Sequence, residues 1–249
     1  MIEKSIRIFC YSGLLVSLTA LTLALGSYIF FKREINTGIL TIVLLGTLSI
    51  YNVDHILGVE SDKDVDRSRA DFINSYRNAL ISTTIISLAV CGILGVTSIS
   101  SKELFLLIPV FIVGLLHRRL KINRILSSIY ITLSWIIVVI LLPLSSGFPK
   151  GIKWYLLIVG LSLLANAYTY TGLDISYGRS SGNTLPVVAL ATSILLCFIL
   201  PGQFIYLVFM PLLTLLSILF LQNKRQFKYL YLDGSLLAGS VLYLITTQL

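Results

Sequence analysis

The sequence consists of nine apolar runs joined by short, mostly basic connections. The runs cover approximately residues 8–31, 37–57, 78–99, 103–116, 125–146, 154–173, 184–200, 204–221 and 229–247. Most of them approach the roughly 20 residues that a helix needs to cross a bilayer. Of the 249 residues, 56% are hydrophobic and only 12% are charged, whereas a soluble domain carries about 25% charged residues. The pattern predicts an all-α, polytopic membrane protein with about nine transmembrane helices, in which residues 1–249 form a single transmembrane domain.

The distribution of Lys and Arg predicts the orientation of these helices. With nine crossings and a cytoplasmic N-terminus, fourteen of the nineteen basic residues lie on the inner connections, as the positive-inside rule requires. The other five are Lys32, Arg33, Lys102, Lys150 and Lys153. We therefore expect a protein of the bacterial inner membrane with its C-terminus outside. The net charge of +8 is explained by topology and by contact with membrane lipids, and no nucleic-acid partner is expected.

The end of the second run is unusually acidic. Six of the eleven acidic residues lie within eighteen positions, namely Asp54, Glu60, Asp62, Asp64, Asp66 and Asp71. Apolar Ile56 and Leu57 follow Asp54, which places Asp54 at or just within the membrane boundary, where an ionisable group is a functional candidate. If the helix continues, positions 54, 58 and 62 share one side, and Asp54 and Asp62 are about 12 Å apart. Each then needs a partner on another helix or a bound phosphate.

Neighbouring residues in this acidic segment have simpler interpretations. For Asp64, Asp66 and Asp71 a solvated, charged loop is sufficient. His55 has no second His at a ligand spacing, and we interpret it as a hydrogen-bonded helix residue rather than a metal ligand.

Asp174 closes the sixth run on the same predicted side as Asp54, so the two carboxylates can face one cavity. An ordinary loop after Asp174 is the alternative interpretation. Several basic residues on this side are candidates for binding phosphate oxygens, and positive-inside topology or contact with anionic lipid is the alternative explanation: Arg69, Arg118, Arg119, Lys121, Arg124 and Arg179. Asn166, Tyr168 and Tyr170 on the sixth run are candidates to line the cavity or to pack within the bundle.

Together these features resemble the UbiA superfamily of intramembrane prenyltransferases over nearly the whole chain. The resemblance is carried by nine apolar spans, acidic sites closing the second and sixth, and GNTLPVV opening the seventh. In addition, LHRRLKINR is similar to the family's basic turn, and YLDGSLLAGSVLYL, which contains Asp233, resembles its last helix. The resemblance implies a helical bundle around a central cavity, where two Asp-rich motifs hold Mg²⁺ against the diphosphate of an isoprenyl donor. Ionisation of the diphosphate gives an allylic cation, which a hydrophobic acceptor captures.

The sequence departs from the family at both motifs. NVDHILGVESD stands where the family has NDxxDxxxD, and DISYG stands where it commonly has DxxxD. Mg²⁺ takes one or two carboxylates and completes its shell with water and phosphate, so a reduced set is sufficient. Carried over to this chain, the resemblance implies catalytic Asp54 and Asp174, Mg²⁺ ligands among Asp54, Glu60, Asp62 and Asp174, and substrate binding by Asn52, Arg69, Arg118, Arg119, Lys121, Tyr168 and Arg179.

Two functions are compatible with this pattern. The first is Mg²⁺-dependent transfer, or cyclisation, of an isoprenyl group from an isoprenyl diphosphate, with an aromatic or lipid acceptor. The second is a catalytically inactive protein of the same fold that binds or transports an isoprenoid or a lipid, which the reduced number of carboxylates favours.

Overall fold

The computed structural model describes residues 2–65, 67–116, 124–174, 184–221 and 228–248. These ranges contain helices and no strand, which confirms the predicted all-α class. The α-helices are α1 (Ile2–Tyr11), α2 (Leu14–Phe30), α3 (Thr37–Val65), α4 (Arg67–Ser98), α5 (Ser101–Leu116), α6 (Arg124–Ile136), α7 (Ile152–Asp174), α8 (Thr184–Ile199), α9 (Phe209–Leu221) and α10 (Lys228–Gln248). A π-helical segment, Ile137–Leu141, continues α6, and a 3-10 segment, Gly202–Val208, leads into α9.

Within the described ranges, six helical stretches are long and apolar enough to cross a membrane. They are α3, α4, α6 with its π segment, α7, the 3-10 segment with α9, and α10. The pair α1 and α2 is a further candidate, and α8 is a shorter apolar helix. These helices indicate an integral membrane protein. Each of the nine predicted runs contains helix, but α5 and α8 have only 16 residues each, and the number of nine spans stays a prediction.

The first apolar run is a bent pair of helices and not the single helix that the sequence predicts. The bend between α1 and α2 is 61°. Gly13 lies between them with φ +73°, a left-handed conformation that glycine adopts without strain. The last carbonyls of α1 have no partner within that helix, and Nδ1 of His55 on α3 donates to the Tyr11 carbonyl at 3.0 Å. His55 is thus a hydrogen-bonded helix residue, as expected.

The start of α5 is fixed by a capping box. The backbone N–H of Ser100 donates to Glu103 Oε2 at 2.7 Å, and the backbone N–H of Glu103 donates to Ser100 Oγ at 3.4 Å. Ser145 Oγ donates to the other carboxylate oxygen of Glu103 at 2.6 Å. One side chain therefore begins α5 and also ties it to the turn that follows the π segment.

The largest buried apolar cluster of the described residues surrounds the π segment and the first turns of α7, and we call it the packed half. Val139, Ile140 and Ile158 are fully buried there. Ser27 Oγ of α2 donates to the Val139 carbonyl at 2.7 Å and shares a hydrogen bond of 3.2 Å with Tyr155 Oη. In the π segment the Leu142 N–H bonds to the Ile137 carbonyl five residues earlier.

Helices α9 and α10 approach each other closely at Gly239. A Cβ atom added there would lie 2.7 Å from Met210 Cα and 3.0 Å from both Met210 N and the Phe209 carbonyl oxygen. Only glycine permits this backbone-to-backbone contact.

Candidate functional site

A pocket of about 140 Å³ lies between α2, α3, α5, α6, α7 and α10. Its lining consists of Ala20, Thr47, Ile50, Tyr51, Asp54, Val110, Tyr130, Ile131, Ser134, Trp135, Val138, Leu163, Asn166, Ala167, Tyr170, Asp233 and Leu236. The lining residues of α6 and of the π segment that continues it extend from 130 to 138, which is about 12 Å along a helix axis. The pocket is therefore elongated along the helices.

The two ends of the pocket differ in polarity. Asp54 and Tyr170 lie toward the C-terminal ends of α3 and α7, and Tyr130 and Asp233 lie toward the N-terminal ends of α6 and α10. We call this the site end. Leu163, Val138 and Leu236 line the pocket farther along the same helices, toward the packed half.

Two carboxylates from different helices line the site end. Asp54 is on α3, and Asp233, which is 8% exposed, is on α10. Tyr51 interacts electrostatically with both of them and with Tyr130, which links the four side chains in one cluster. Two acidic groups facing one pocket are a favourable environment for a cation.

Three side-chain hydrogen bonds hold the backbone of the α10 turn that carries Asp233. Asn166 Nδ2 of α7 donates to the Leu232 carbonyl at 3.1 Å, and Thr19 Oγ1 of α2 donates to the Asp233 carbonyl at 3.3 Å. Ser235 Oγ also donates to the Leu232 carbonyl, at 2.8 Å. These bonds fix the backbone of this turn, so Asp233 is presented to the pocket from a rigid support.

The sequence pattern does not predict a functional role for Asp233 by resemblance, although one feature of the sequence marks this residue as a functional candidate. It is the one charged residue in the apolar run 229–247, and an ionisable residue inside a membrane-spanning run is a functional candidate.

Asp54 lines the pocket as the sequence predicts, and two other sequence candidates on α7 do so as well. Asn166 and Tyr170 are four residues apart and share one face of α7. Asp174, the last residue of α7, is four residues farther on and occupies the next register position of that face. Its backbone therefore continues the pocket-lining row, and its side chain lies outside the described residues.

Tyr168, predicted to bind substrate, is not part of the pocket lining and contacts Arg124 instead. The Arg124 guanidinium lies over the Tyr168 ring at 3.8 Å from its centroid, and Arg124 Nε donates to the Tyr168 carbonyl at 3.0 Å. Gly172 provides the space, because a Cβ atom there would overlap the guanidinium. Ser128 and Thr171 share a hydrogen bond of 3.0 Å in the same contact between α6 and α7.

Asn52, Glu60 and Arg69 also lie away from the pocket lining. Asn52 is fully buried beside Gly13, and in the described part of the chain neither polar atom of its side chain has a hydrogen-bond partner. Glu60 is exposed farther along α3, and Arg69 is buried on α4 beside the apolar cluster of Val59 and Ile73. Their roles in metal or substrate binding stay predictions.

The other sequence candidates lie outside the described residues. This applies to Arg118, Arg119, Lys121 and Arg179, and to the side chain of Asp62, whose backbone belongs to α3.

The described residues contain no group of three or more His, Cys, Asp or Glu side chains that is able to hold a metal ion. Asp54 and Asp233 supply two carboxylates. That number fits Mg²⁺, which usually binds through one or two carboxylates and fills the remaining positions with water and phosphate oxygens. The donors are hard oxygen ligands, which also suit this metal.

Comparisons of the chain with family models, with curated proteins and with solved structures give no match. Function must therefore be inferred from the residues of the pocket.

Proposed function

We propose that the protein is a UbiA-like intramembrane prenyltransferase. It transfers an isoprenyl group from an isoprenyl diphosphate to an aromatic or lipid acceptor, or cyclises that group. The observation that carries the proposal is the pocket itself, which is apolar toward the packed half and has Asp54 and Asp233 at the site end. An apolar tail with a charged head matches this polarity. From the distribution of basic residues we place the site end at the cytoplasmic face of a bacterial inner membrane.

Mg²⁺ is the metal that this donor set favours. Asp54 and Asp233 would hold one ion at the site end, and Asp174 at the end of α7 with Glu60 or Asp62 farther along α3 would serve a second ion on the same diphosphate. When bound, Mg²⁺ neutralises charge that develops on the leaving diphosphate.

The remaining lining supports ionisation of an allylic diphosphate. The apolar side chains exclude water, which otherwise captures the allylic cation. The rings of Tyr51, Tyr130 and Tyr170 line the pocket, and aromatic rings attract a cation through their π faces. Arg118, Arg119 and Lys121, which precede α6, and Arg179, which follows α7, are candidates to bind phosphate oxygens at this end.

A second function is favoured by the small number of carboxylates. Among the described lining residues only Asp54 and Asp233 are acidic, whereas two complete Asp-rich motifs would supply more. A protein that binds or transports an isoprenoid or a lipid needs the apolar pocket but no metal.

Turnover of isoprenyl diphosphates tests the two functions against each other. Purified protein in detergent is incubated with labelled isoprenyl diphosphates, Mg²⁺ and a panel of aromatic and lipid acceptors, and release of diphosphate is measured. The enzyme hypothesis expects release that EDTA abolishes and that Asp174→Ala abolishes. Asp71→Ala, which removes an exposed carboxylate of α4, is the matched control and keeps activity.

The opposite outcome is equally informative. If no donor of any length releases diphosphate, while Asp174→Ala binds isoprenoid as wild type does, the enzyme hypothesis is rejected and the binding protein remains.

A further inference from the structure

We infer that the pocket accepts a ten-carbon isoprenyl tail and excludes tails of fifteen carbons or more, with Leu163 setting the limit. This inference rests on the proposed function, because it assumes that an isoprenoid tail occupies the pocket. It adds the length of the donor to that function.

The volume of the pocket gives the first measure of the tail. The pocket measures about 140 Å³, close to the roughly 150 Å³ of an engineered apolar cavity that binds benzene. The pocket is therefore small for an isoprenoid tail. Its volume favours the shortest isoprenoid tails. A geranyl tail has ten carbons and a farnesyl tail has fifteen.

The length of the pocket gives a second measure. From Tyr130 to Val138 the lining extends about 12 Å along α6. An extended covalent chain advances about 1.2 Å per bond, since a peptide residue of three bonds spans at most about 3.6 Å. The eight bonds from the diphosphate oxygen to the end of a geranyl chain thus span about 10 Å, and the twelve bonds of a farnesyl chain about 14 Å. Only the shorter chain fits.

The end of the pocket is closed by the packed half. Val139 and Ile158 have no exposed surface, and Val159 is 1% exposed, so the pocket borders the buried core at this end. Leu163 is the lining residue of α7 farthest from Asp174, and it also belongs to the buried apolar core. Its side chain is 4% exposed. Leu163→Ala removes three carbons at this closed end, and interiors relax only partly around such a deletion. The space gained lengthens the pocket.

The two tryptophans of the chain make tail entry measurable. Trp135 lines the pocket, and Trp154 does not. Trp154→Phe leaves Trp135 as the single tryptophan of the chain, so the fluorescence of Trp135 in this background reports occupancy. The protein is placed in lipid nanodiscs and titrated with geraniol, farnesol or geranylgeraniol. The concentration of each alcohol is expressed as moles of alcohol per mole of lipid.

We expect geraniol to bind at least ten times more tightly than geranylgeraniol. Leu163→Ala in the Trp154→Phe background should raise the affinity for farnesol about tenfold relative to geraniol, and the milder Leu163→Val should give a smaller change in the same direction. Leu157→Ala is the matched control, because this leucine of the same helix is 41% exposed and lies outside the lining. It should leave the order of affinities unchanged.

Two results would overturn the inference. One is equal affinity for all three alcohols, which means that longer tails leave the pocket between the helices. The other is an unchanged order of affinities in both Leu163 variants. The alcohols carry no diphosphate, so this test is independent of turnover: size-selective binding without diphosphate release rejects only the enzyme, and equal turnover of all donor lengths rejects only the size limit.

Discussion

Gly239 of α10 and Gly172 of α7 both lie against a neighbouring helix, but they meet different kinds of atoms. A Cβ atom at Gly239 would meet the main chain of α9, whereas one at Gly172 would meet the guanidinium end of Arg124. A main chain moves only if its helix moves, while the end of a long side chain moves by rotation. Contact between main chains therefore fixes the helices of the packed half. Near the site end, α6 and α7 are joined by side chains, which are more mobile.

The polar contacts differ in the same way. In the packed half, Ser27 bonds to a carbonyl of the π segment, and all the groups involved are buried. At the site end, Asp54, Asp233 and Tyr170 face open volume. We therefore expect substitutions in the packed half to change stability and substitutions at the site end to change chemistry.

Asp54→Asn should have the largest effect and should separate chemistry from stability. If Asp54 helps to neutralise the leaving diphosphate, its loss lowers the rate of diphosphate release about 100-fold or more, as with other preorganised electrostatic contacts. The temperature of unfolding should change little. Asp71→Asn on the exposed face of α4 should retain full activity. Unfolding of Asp54→Asn at a markedly lower temperature would contradict the separation of the two regions.

Gly239→Ala should have the largest effect on stability. The new methyl group must separate α9 from α10, and overpacking of this kind costs about 1–3 kcal/mol. Thermal unfolding in detergent measures the loss. Gly92→Ala is the matched control, since a Cβ atom at Gly92 meets nothing within 4 Å. Equal unfolding temperatures for the two variants would show that the α9–α10 contact is not limiting.

Gly172→Ala should cost less, because only the side chain of Arg124 must move. The variant loses the stacking on Tyr168, worth about 0.5–1 kcal/mol at a partly exposed site, and a hydrogen bond worth about 1 kcal/mol. The same unfolding measurement, with Gly46→Ala as the open-space control, should give a smaller loss than Gly239→Ala. A loss of stability larger than that of Gly239→Ala would contradict the view that a side-chain neighbour yields more easily than a main-chain neighbour.

Ser27→Ala should have the smallest effect. It removes hydrogen bonds between helices to the Val139 carbonyl and to Tyr155 Oη, and such bonds in membrane proteins average about 0.6 kcal/mol each. Thr41→Ala removes only a bond to the Thr37 carbonyl within α3 and serves as the control. Both unfolding temperatures are measured at the same detergent concentration. If Ser27→Ala is no less stable than Thr41→Ala, the hydrogen bonds of Ser27 in the packed half contribute nothing to the stability of the protein.

The sequence predicts the helices well because apolar length is a strong signal in a membrane protein. It does not predict the bend between α1 and α2, since the run 8–31 is apolar throughout and only Gly13 marks the position. A Cβ atom at Gly13 would lie 3.1 Å from Tyr51 Cβ on α3, so the bend packs closely against a distant helix, which no local pattern reveals.

At the candidate site, helix periodicity decides more than residue type. Asn166 and Tyr170 line the pocket, and Tyr168, two residues from each, lies on another face of α7. The spacing alone therefore separates these three candidates. Asp233 joins Asp54 only through the packing of α10 against α2 and α7, a long-range arrangement that the sequence does not specify.

The π segment Ile137–Leu141 determines where α6 can lose a residue without changing which side chains face the interior. A π turn accommodates one residue more than an α turn, so removing one residue from this segment would restore a regular α-helix and leave the facing of the preceding turns unchanged. Removing one residue from the end of α6 just before the segment would instead rotate the preceding turns by about 100°. Tyr130 and Trp135 would then face away from the interior, and Arg124 would lose Tyr168. The exact number of residues in α6 before the segment is thus as much a determinant of its inner surface as their identity.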